Sequence, residues 1–306
     1  DFTINAMAIK PMKGLVGAEC SSGKLIDPDG RGVKDLESRL LSTVGRAEER
    51  IGEDGLRIVR AFRFMDLGKG GLREFDPELS IAISSNLSLL SKVSKERIWN
   101  ELQRILSCSN SMQIVESMVE HRIFEEILPG ISINTNTNQS GDYIVNLALI
   151  CRDEVSDGPE LSDRVASLLR LSKKESSTFS SLHEFRKIDL DPSIESVRRF
   201  SATISDTQKS RILDYVRGLG IDTEDFESEL EQNSHLKAGP RALVDGSRIS
   251  ELTGLDGGRR LGRLKDRLHR LQVERNLSSE EEVVELLAEF DWKNSDHEEW
   301  RGLSWP

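Results

Sequence analysis

Cysteine is scarce in this chain, basic charge is outweighed by acidic charge, and no long apolar run interrupts it. The three cysteines, Cys20, Cys108 and Cys151, are odd in number and far apart. They point to a reducing compartment and away from a disulfide framework or a zinc site. No apolar stretch approaches the length of a membrane span, and no secretory signal opens the chain, so a soluble cytoplasmic protein is the expectation. The net charge of −11 excludes a general nucleic-acid coat. Any polyanion binding must be confined to local basic surfaces. His121, His183 and His235 are scattered, and none stands at metal-ligand spacing, so no metal ligands are assigned.

What is present reads as helix. At 306 residues, with 31% charged and 37% hydrophobic, the chain can bury a large core and divide into two or more packed units. The most informative stretch is Gly52–Phe64. It reads as one amphipathic helix, with Ile51, Ile58, Phe62 and Met65 on a core-facing side. Glu53, Arg57 and Arg60 share the other side, with Arg63 at its edge. Asp54 stands near the helix start, where the macrodipole favours a carboxylate, one turn before Arg57.

A carboxylate beside a guanidinium can recognise a base. The first only accepts hydrogen bonds; the second only donates them, in a planar fork. Together they complement an edge that sets an amino donor beside a ring-nitrogen acceptor. Cytosine presents that edge at N4 and N3, adenine at N6 and N1. Guanine and uracil present the reverse order. By pattern alone, a solvated helix face with i,i+3 ion pairs is the simpler reading.

The surrounding motifs add weight. The chain opens DFTINAMAI, passes through LIDPDGRGVKDLESRLLSTVG, reaches EDGLRIVRAFRF, and later SKERIWNELQRIL. This ordered series resembles the class II CCA-adding tRNA nucleotidyltransferases and their bacterial poly(A) polymerase relatives. Several motifs in order are more specific than any one of them.

The resemblance implies a mainly α fold: a remnant of an α/β nucleotidyltransferase head over 1–45, a neck over 46–110, a helical body over 111–235 and a helical tail over 236–306. It implies that Asp54 and Arg57 read the incoming base, with Arg60 and Arg63 neutralising phosphate charge or bracing that pair. Asp1 and Thr3 fall where the family selects ribose, and Asn5 is a weaker candidate near the sugar or triphosphate. Asp27 and Asp35 bound a loop one step longer than the family's, with Arg31 as the added residue. Mg²⁺ is the implied cofactor, and tRNA, CTP and ATP are the implied partners. The family's Gly-Gly turn and its Asp-x-Asp metal ligands would lie upstream of Asp1. These residues alone are therefore expected to bind tRNA, to bind CTP or ATP weakly if at all, and to add no nucleotide with Mg²⁺ present, with no catalytic residue among them. Poly(A) tailing, A-only or C-only addition, and a non-catalytic RNA-binding remnant are the alternatives. No His-Asp doublet supports a fused phosphohydrolase domain.

Elsewhere the reading is local. Lys10–Ser22 alternates glycine and small residues as a hairpin connection would, and Leu25-Ile26 reads as a strand. Asp66–Pro77 reads as a loop. Ser94 is a good N-cap, and Arg97 and Glu101 are read as a structural pair on the helix that follows. Asn134–Asn138 is a polar loop. In the last third, Leu261, Leu264, Leu268 and Leu271 form one stripe, and Arg260, Arg263, Arg267 and Arg270 a second. Residues 256–275 hold seven Lys/Arg against three Asp/Glu. With Gly257-Gly258 at its start, this helix is a candidate RNA-phosphate surface, and a solvated basic face is its alternative. Trp292, Trp300 and Trp305 close the chain with no role assigned.

Overall fold

A computed structural model describes residues 1–11, 23–66, 70–152, 158–233, 236–238 and 241–306. The fold is mainly α, and the chain packs as two compact units, Asp1–Arg186 and Lys187–Pro306.

In the first unit, β1 (Ala8–Pro11) and β2 (Gly23–Ile26) pair antiparallel, Ile9 opposite Leu25. The hairpin connection read at 10–22 begins as strand at Lys10 and Pro11, and its remainder lies outside the described residues, as does Cys20. Helix α1 (Gly32–Ser38) follows the expected Asp27–Gly30 turn, in which Asp27 accepts from the Gly30 and Val33 N–H groups. Arg31 donates to Asp29 at 2.5 Å and to the Thr43 carbonyl at 2.8 Å, so it fastens the turn. Strand β3 (Leu40–Leu41) pairs in parallel with β4 (Glu74–Phe75). That strand stands inside the stretch read as a loop. The Arg39 carbonyl accepts from the Glu74 N–H and the Leu41 carbonyl from the Asp76 N–H, and this long-range pairing outweighs the local glycine signal.

Helices α2 (Ala47–Glu53), α3 (Leu56–Met65), α4 (Pro77–Ser85), α5 (Lys95–Leu106), α6 (Ser111–Glu120), α7 (Ile123–Ile127), α8 (Tyr143–Ile150), α9 (Gly158–Leu169) and α10 (Lys173–Glu184) complete the unit. The Gly52–Phe64 stretch is therefore two helices, not one. Asp54 is extended, at φ −151 and ψ 105, and Gly55 restarts the helix. A Cβ on Gly55 would stand 2.9 Å from the Leu89 carbonyl oxygen, so the break is held by close backbone packing that only glycine permits. The apolar side of α3 does face the core. Phe62 is fully buried, edge-on to Phe75 at 5.0 Å and to His121 at 5.4 Å, and α3 packs against α5.

Ser94 caps α5 as read, accepting from the Arg97 N–H at 3.4 Å. Glu175 binds α5 and α8 to α10: its Oε1 accepts from Trp99, Gln103 and Tyr143, while its Oε2 closes a capping box with Ser172.

In the second unit, α11 (Ile194–Thr203), α12 (Asp206–Gly218), α13 (Glu224–Gln232), α14 (Gly246–Thr253), α15 (Arg259–Glu274) and α16 (Glu280–Glu289) follow in order. The leucine stripe of α15 is core: Leu264 and Leu268 are buried with Val244, Ile249, Val283, Leu286 and Trp300, and Leu261 and Leu271 pack at the margin. The terminal tryptophans thus acquire a role. Trp300 closes this core, Trp292 donates to the Leu287 carbonyl, and the Trp305 ring lies 4.5 Å from that of Phe200, tilted by 59°.

Candidate nucleotide and RNA site

The break between α2 and α3 gathers most of the residues expected to meet a nucleotide. Asp54 projects from the break. One oxygen accepts the Leu56 N–H at 3.1 Å, and the other accepts from Arg97 at 2.8 Å. Burial opposes ionisation of Asp54. The Arg97 hydrogen bond, the Leu56 N–H and the charges of Arg97 and Arg57 outweigh it and hold the carboxyl below its ordinary range.

Asp54 and Arg57 adjoin but do not bind each other through their side chains. Arg57 donates to Glu53 at 2.7 Å, to Asp1 at 3.1 Å and to the Arg50 carbonyl at 2.5 Å. The reason is the break itself: an extended Asp54 leaves the helical register that would set it one turn from Arg57. Asp1 receives Arg60 as well as Arg57. Arg63 is turned the other way, to Glu101 at 2.7 Å, and lies 4.4 Å over the Phe64 ring.

Arg97 and Glu101, read as partners of each other, are paired elsewhere: Arg97 with Asp54, and Glu101 with Arg63 and Arg104. They stand four residues apart on α5, but each faces a charge from the α2–α3 segment that is stronger company than its helical neighbour. Arg97 is the site residue that sequence reading missed as such. Its partner lies 43 positions away in the chain, and no local spacing signals it.

Thr3, expected beside the sugar, is fully buried, and its hydroxyl donates to Asp35 at 2.6 Å. It braces the chain start against α1 and presents nothing to solvent. Asn5 accepts the Phe2 N–H at 3.0 Å and closes a 3-10 turn, which is the bland reading of that residue.

The arginine stripe of α15 is largely spoken for. Arg260 donates to the carbonyls of Trp292 at 2.9 Å and Lys293 at 2.8 Å. Arg263 lies 3.8 Å from Glu298. Arg270 donates to Glu274 at 2.8 Å and reaches the Gly302 carbonyl. Only Arg267 of the four meets neither a carboxylate nor a carbonyl among the described residues; its guanidinium lies 5.9 Å over Phe290. The expected free face is thus mostly a set of fastenings for the C-terminal segment. Guanidinium groups near an irregular segment satisfy carbonyls that no helix pairs.

His121 sits in the aromatic core, His183 is fully buried on α10, and His235 lies outside the described residues. Among the described residues no three His, Cys, Asp or Glu side chains come together as a cation site. The described residues therefore do not fit a Mg²⁺ centre.

Comparison with known proteins places this geometry in context. Residues 74–134 match the family described as "Probable RNA and SrmB- binding site of polymerase A". The chain is 40% identical over 169 residues to the CCA-adding enzyme of Bacillus subtilis (strain 168), covering 50% of this chain and 39% of that protein. It is 35% identical over 133 residues to the CCA-adding enzyme of Streptococcus pyogenes serotype M3, covering 43% of this chain and 29% of that protein. The chain thus spans well under half the length of these curated relatives. In fold it is similar to the Bacillus stearothermophilus CCA-adding enzyme in complex with CTP, with a TM-score of 0.69 at 22% identity over 94% of this chain and 72% of that one. The Thermotoga maritima CCA-adding enzyme complexed with tRNA gives 0.61 at 18% identity, again over 94% and 72%.

Proposed function

We propose that this chain, which belongs to the family of CCA-adding enzymes and bacterial poly(A) polymerases, supplies the base-reading and RNA-holding parts of a tRNA nucleotidyltransferase. The reaction is transfer of CMP and AMP from CTP and ATP onto a tRNA 3′ end, without a nucleic-acid template and with release of pyrophosphate.

The α2–α3 break is the observation that carries this reading. It sets an acceptor, Asp54, next to a donor fork, Arg57; each has one exposed partner, Arg97 and Glu53, that a base edge can replace, while Asp1 and the Arg50 carbonyl keep Arg57 in place. The Arg97 side chain is 52% exposed and the Glu53 side chain 50%, so both partners can turn into water when a base arrives. The cytosine N4 or adenine N6 amino group then donates to Asp54, and N3 or N1 accepts from Arg57. Guanine and uracil set acceptor against carboxylate and donor against guanidinium, and are refused. Asp1 pairs with both Arg57 and Arg60, and Arg63 braces α3 against α5 through Glu101.

The test is nucleotide discrimination. The wild type should bind CTP and ATP in preference to GTP and UTP by calorimetry. In Asp54→Ala that preference should shrink by about 1.5–3 kcal/mol, the worth of one charged hydrogen bond, while tRNA affinity holds. Equal discrimination in the two proteins would leave Asp54 as a helix cap alone. A second reading, addition of AMP only, is favoured by the family description matched at 74–134, which names polymerase A. It predicts preference for ATP with CTP refused.

A further inference from the structure

Asp54 is the acceptor of the candidate base site, and its two oxygens are held in different ways. Oδ1 accepts the Leu56 N–H, a bond fixed by the first turn of α3. Oδ2 accepts from Nη2 of Arg97 at 2.8 Å, and among the described residues no other side chain donates to Asp54. A guanidinium carries five N–H donors. Among the described residues the Arg97 side chain uses one of them, on Asp54 alone. Arg57 differs, being tied to Glu53, Asp1 and the Arg50 carbonyl at once.

The main chain that carries Arg97 is anchored. Arg97 stands in the first turn of α5, where its N–H donates to the hydroxyl and the carbonyl of Ser94. Lys95 donates to the Ser167 carbonyl of α9 at 3.2 Å, and Glu175 of α10 holds Trp99 and Gln103. Ile98, next in the chain, is buried. The Arg97 side chain is instead half-exposed and held at a single point. A long exposed side chain on a fixed backbone changes rotamer quickly, so Arg97 has two states, on Asp54 or out in water.

In the first state Arg97 sets an N–H donor where an amino group would stand. The guanidinium is charged and an amino group of a base is neutral, so the exchange gives up a charge-assisted bond for an ordinary one. A site whose competent state is only partly populated binds with an affinity reduced by that fraction. For an ion pair this exposed, the factor is about two to five.

We propose that Arg97 is a specificity-determining latch that mimics the base. It occupies Asp54 in place of the amino group of cytosine or adenine, and swings into water when either is read. The latch keeps Asp54 paired when no base is bound, at the expense of affinity for both nucleotides. Uracil and guanine present an acceptor at this position, which gains nothing from a bare carboxylate. Opening the latch therefore favours only the amino-bearing bases. The inference rests on the base-reading role given to Asp54 under Proposed function.

The experiment is equilibrium binding of CTP, ATP, UTP and GTP, up to millimolar concentration, to the full chain and its variants. Arg97→Ala should prefer CTP over UTP, and ATP over GTP, about threefold more strongly than the wild type. Any lost attraction for the triphosphate cancels in these ratios. Arg97→Lys keeps a charged donor for Asp54 and should restore the wild-type ratios. Arg46→Ala removes an exposed arginine at the start of α2, paired with Glu49, and should leave them unchanged. A merely structural Arg97 predicts a lower melting temperature for Arg97→Ala with the ratios unchanged or reduced, and that result overturns the latch. Asp54→Ala separates the two levels. If it loses discrimination while Arg97→Ala keeps the wild-type ratios, the base reading stands and the latch alone fails. If Asp54→Ala discriminates as the wild type does, or if none of the proteins binds a nucleotide, the base reading fails and the latch with it. Far-UV circular dichroism confirms that each variant is folded.

Discussion

Two helices carry arginines at three- and four-residue spacing, and the fold treats them differently. On α3, Arg57, Arg60 and Arg63 meet the carboxylates of Asp1, Glu53 and Glu101. On α15, Arg260 and Arg270 reach backbone carbonyls of the C-terminal segment, and Arg267 faces a ring. A side-chain carboxylate can rotate away and be replaced by a base edge or a phosphate. A backbone carbonyl is fixed by the chain that carries it, so a guanidinium bound to carbonyls alone, as Arg260 is, is a structural tie, whereas Arg57, which also donates to the Arg50 carbonyl, and Arg270, which also meets Glu274, combine both kinds of partner. The spacing of arginines records where positive charge lies; the partner decides whether that charge is available.

The largest effect that would sharpen this contrast is expected at Glu101. It is 7% exposed, and it answers Arg63 from α5. Glu101→Gln leaves Arg63 partly buried without its counter-charge and should lower stability by about 3 kcal/mol, read from the denaturant midpoint. A loss below about 1 kcal/mol would place the pair among ordinary solvated ones.

A smaller loss is expected on α15. Arg260→Gln removes two charge-assisted bonds to the Trp292 and Lys293 carbonyls and should cost about 2 kcal/mol. Amide hydrogen exchange should rise over 290–300 in the same variant, while tRNA affinity stays at the wild-type value. If tRNA affinity falls instead and exchange is unchanged, Arg260 is a free phosphate contact, and the distinction between the two helices fails there.

The smallest effect is one of pH, and it is confined to the α3 region. Arg97 and its neighbours hold Asp54 below its ordinary value of 3.8. A carboxylate depressed in the folded state contributes stability that is present above the unfolded value and is lost as pH falls through the lower folded one. The difference in melting temperature between wild type and Asp54→Asn should therefore be constant above about pH 5 and close as pH falls below the unfolded value. Backbone carbonyls carry no titrating proton, so the corresponding difference for Arg260→Gln should be flat across that range. A pH-independent Asp54→Asn difference would remove ionisation from the Asp54–Arg97 contact.

Much of the architecture was legible along the chain. Ser94 begins a helix because its hydroxyl can accept an orphan N–H of the first turn. Leu264 and Leu268 fall on one side of α15 because their spacing matches the helical period, and that side is core. Asp54, Arg57 and Arg60 do lie about one break in the chain, while Arg63 turns to Glu101. Their pairing was not legible: Asp54 binds Arg97 from 43 residues away, and Thr3 spends its hydroxyl on Asp35, 32 residues on.

By itself, then, the sequence determined the helical class, the apolar faces and several caps, all of which depend on residues within a turn or two. Only the tertiary structure decided where the central helix breaks, because the break depends on Gly55 meeting the backbone at Leu89. It also decided which arginines stay free. A long charged side chain reaches many partners at similar cost, and its choice is set by what the fold brings within hydrogen-bond distance. Arg199 and Arg270 share Glu274 only because α11 packs on α15, and nothing in the spacing of either helix records that contact.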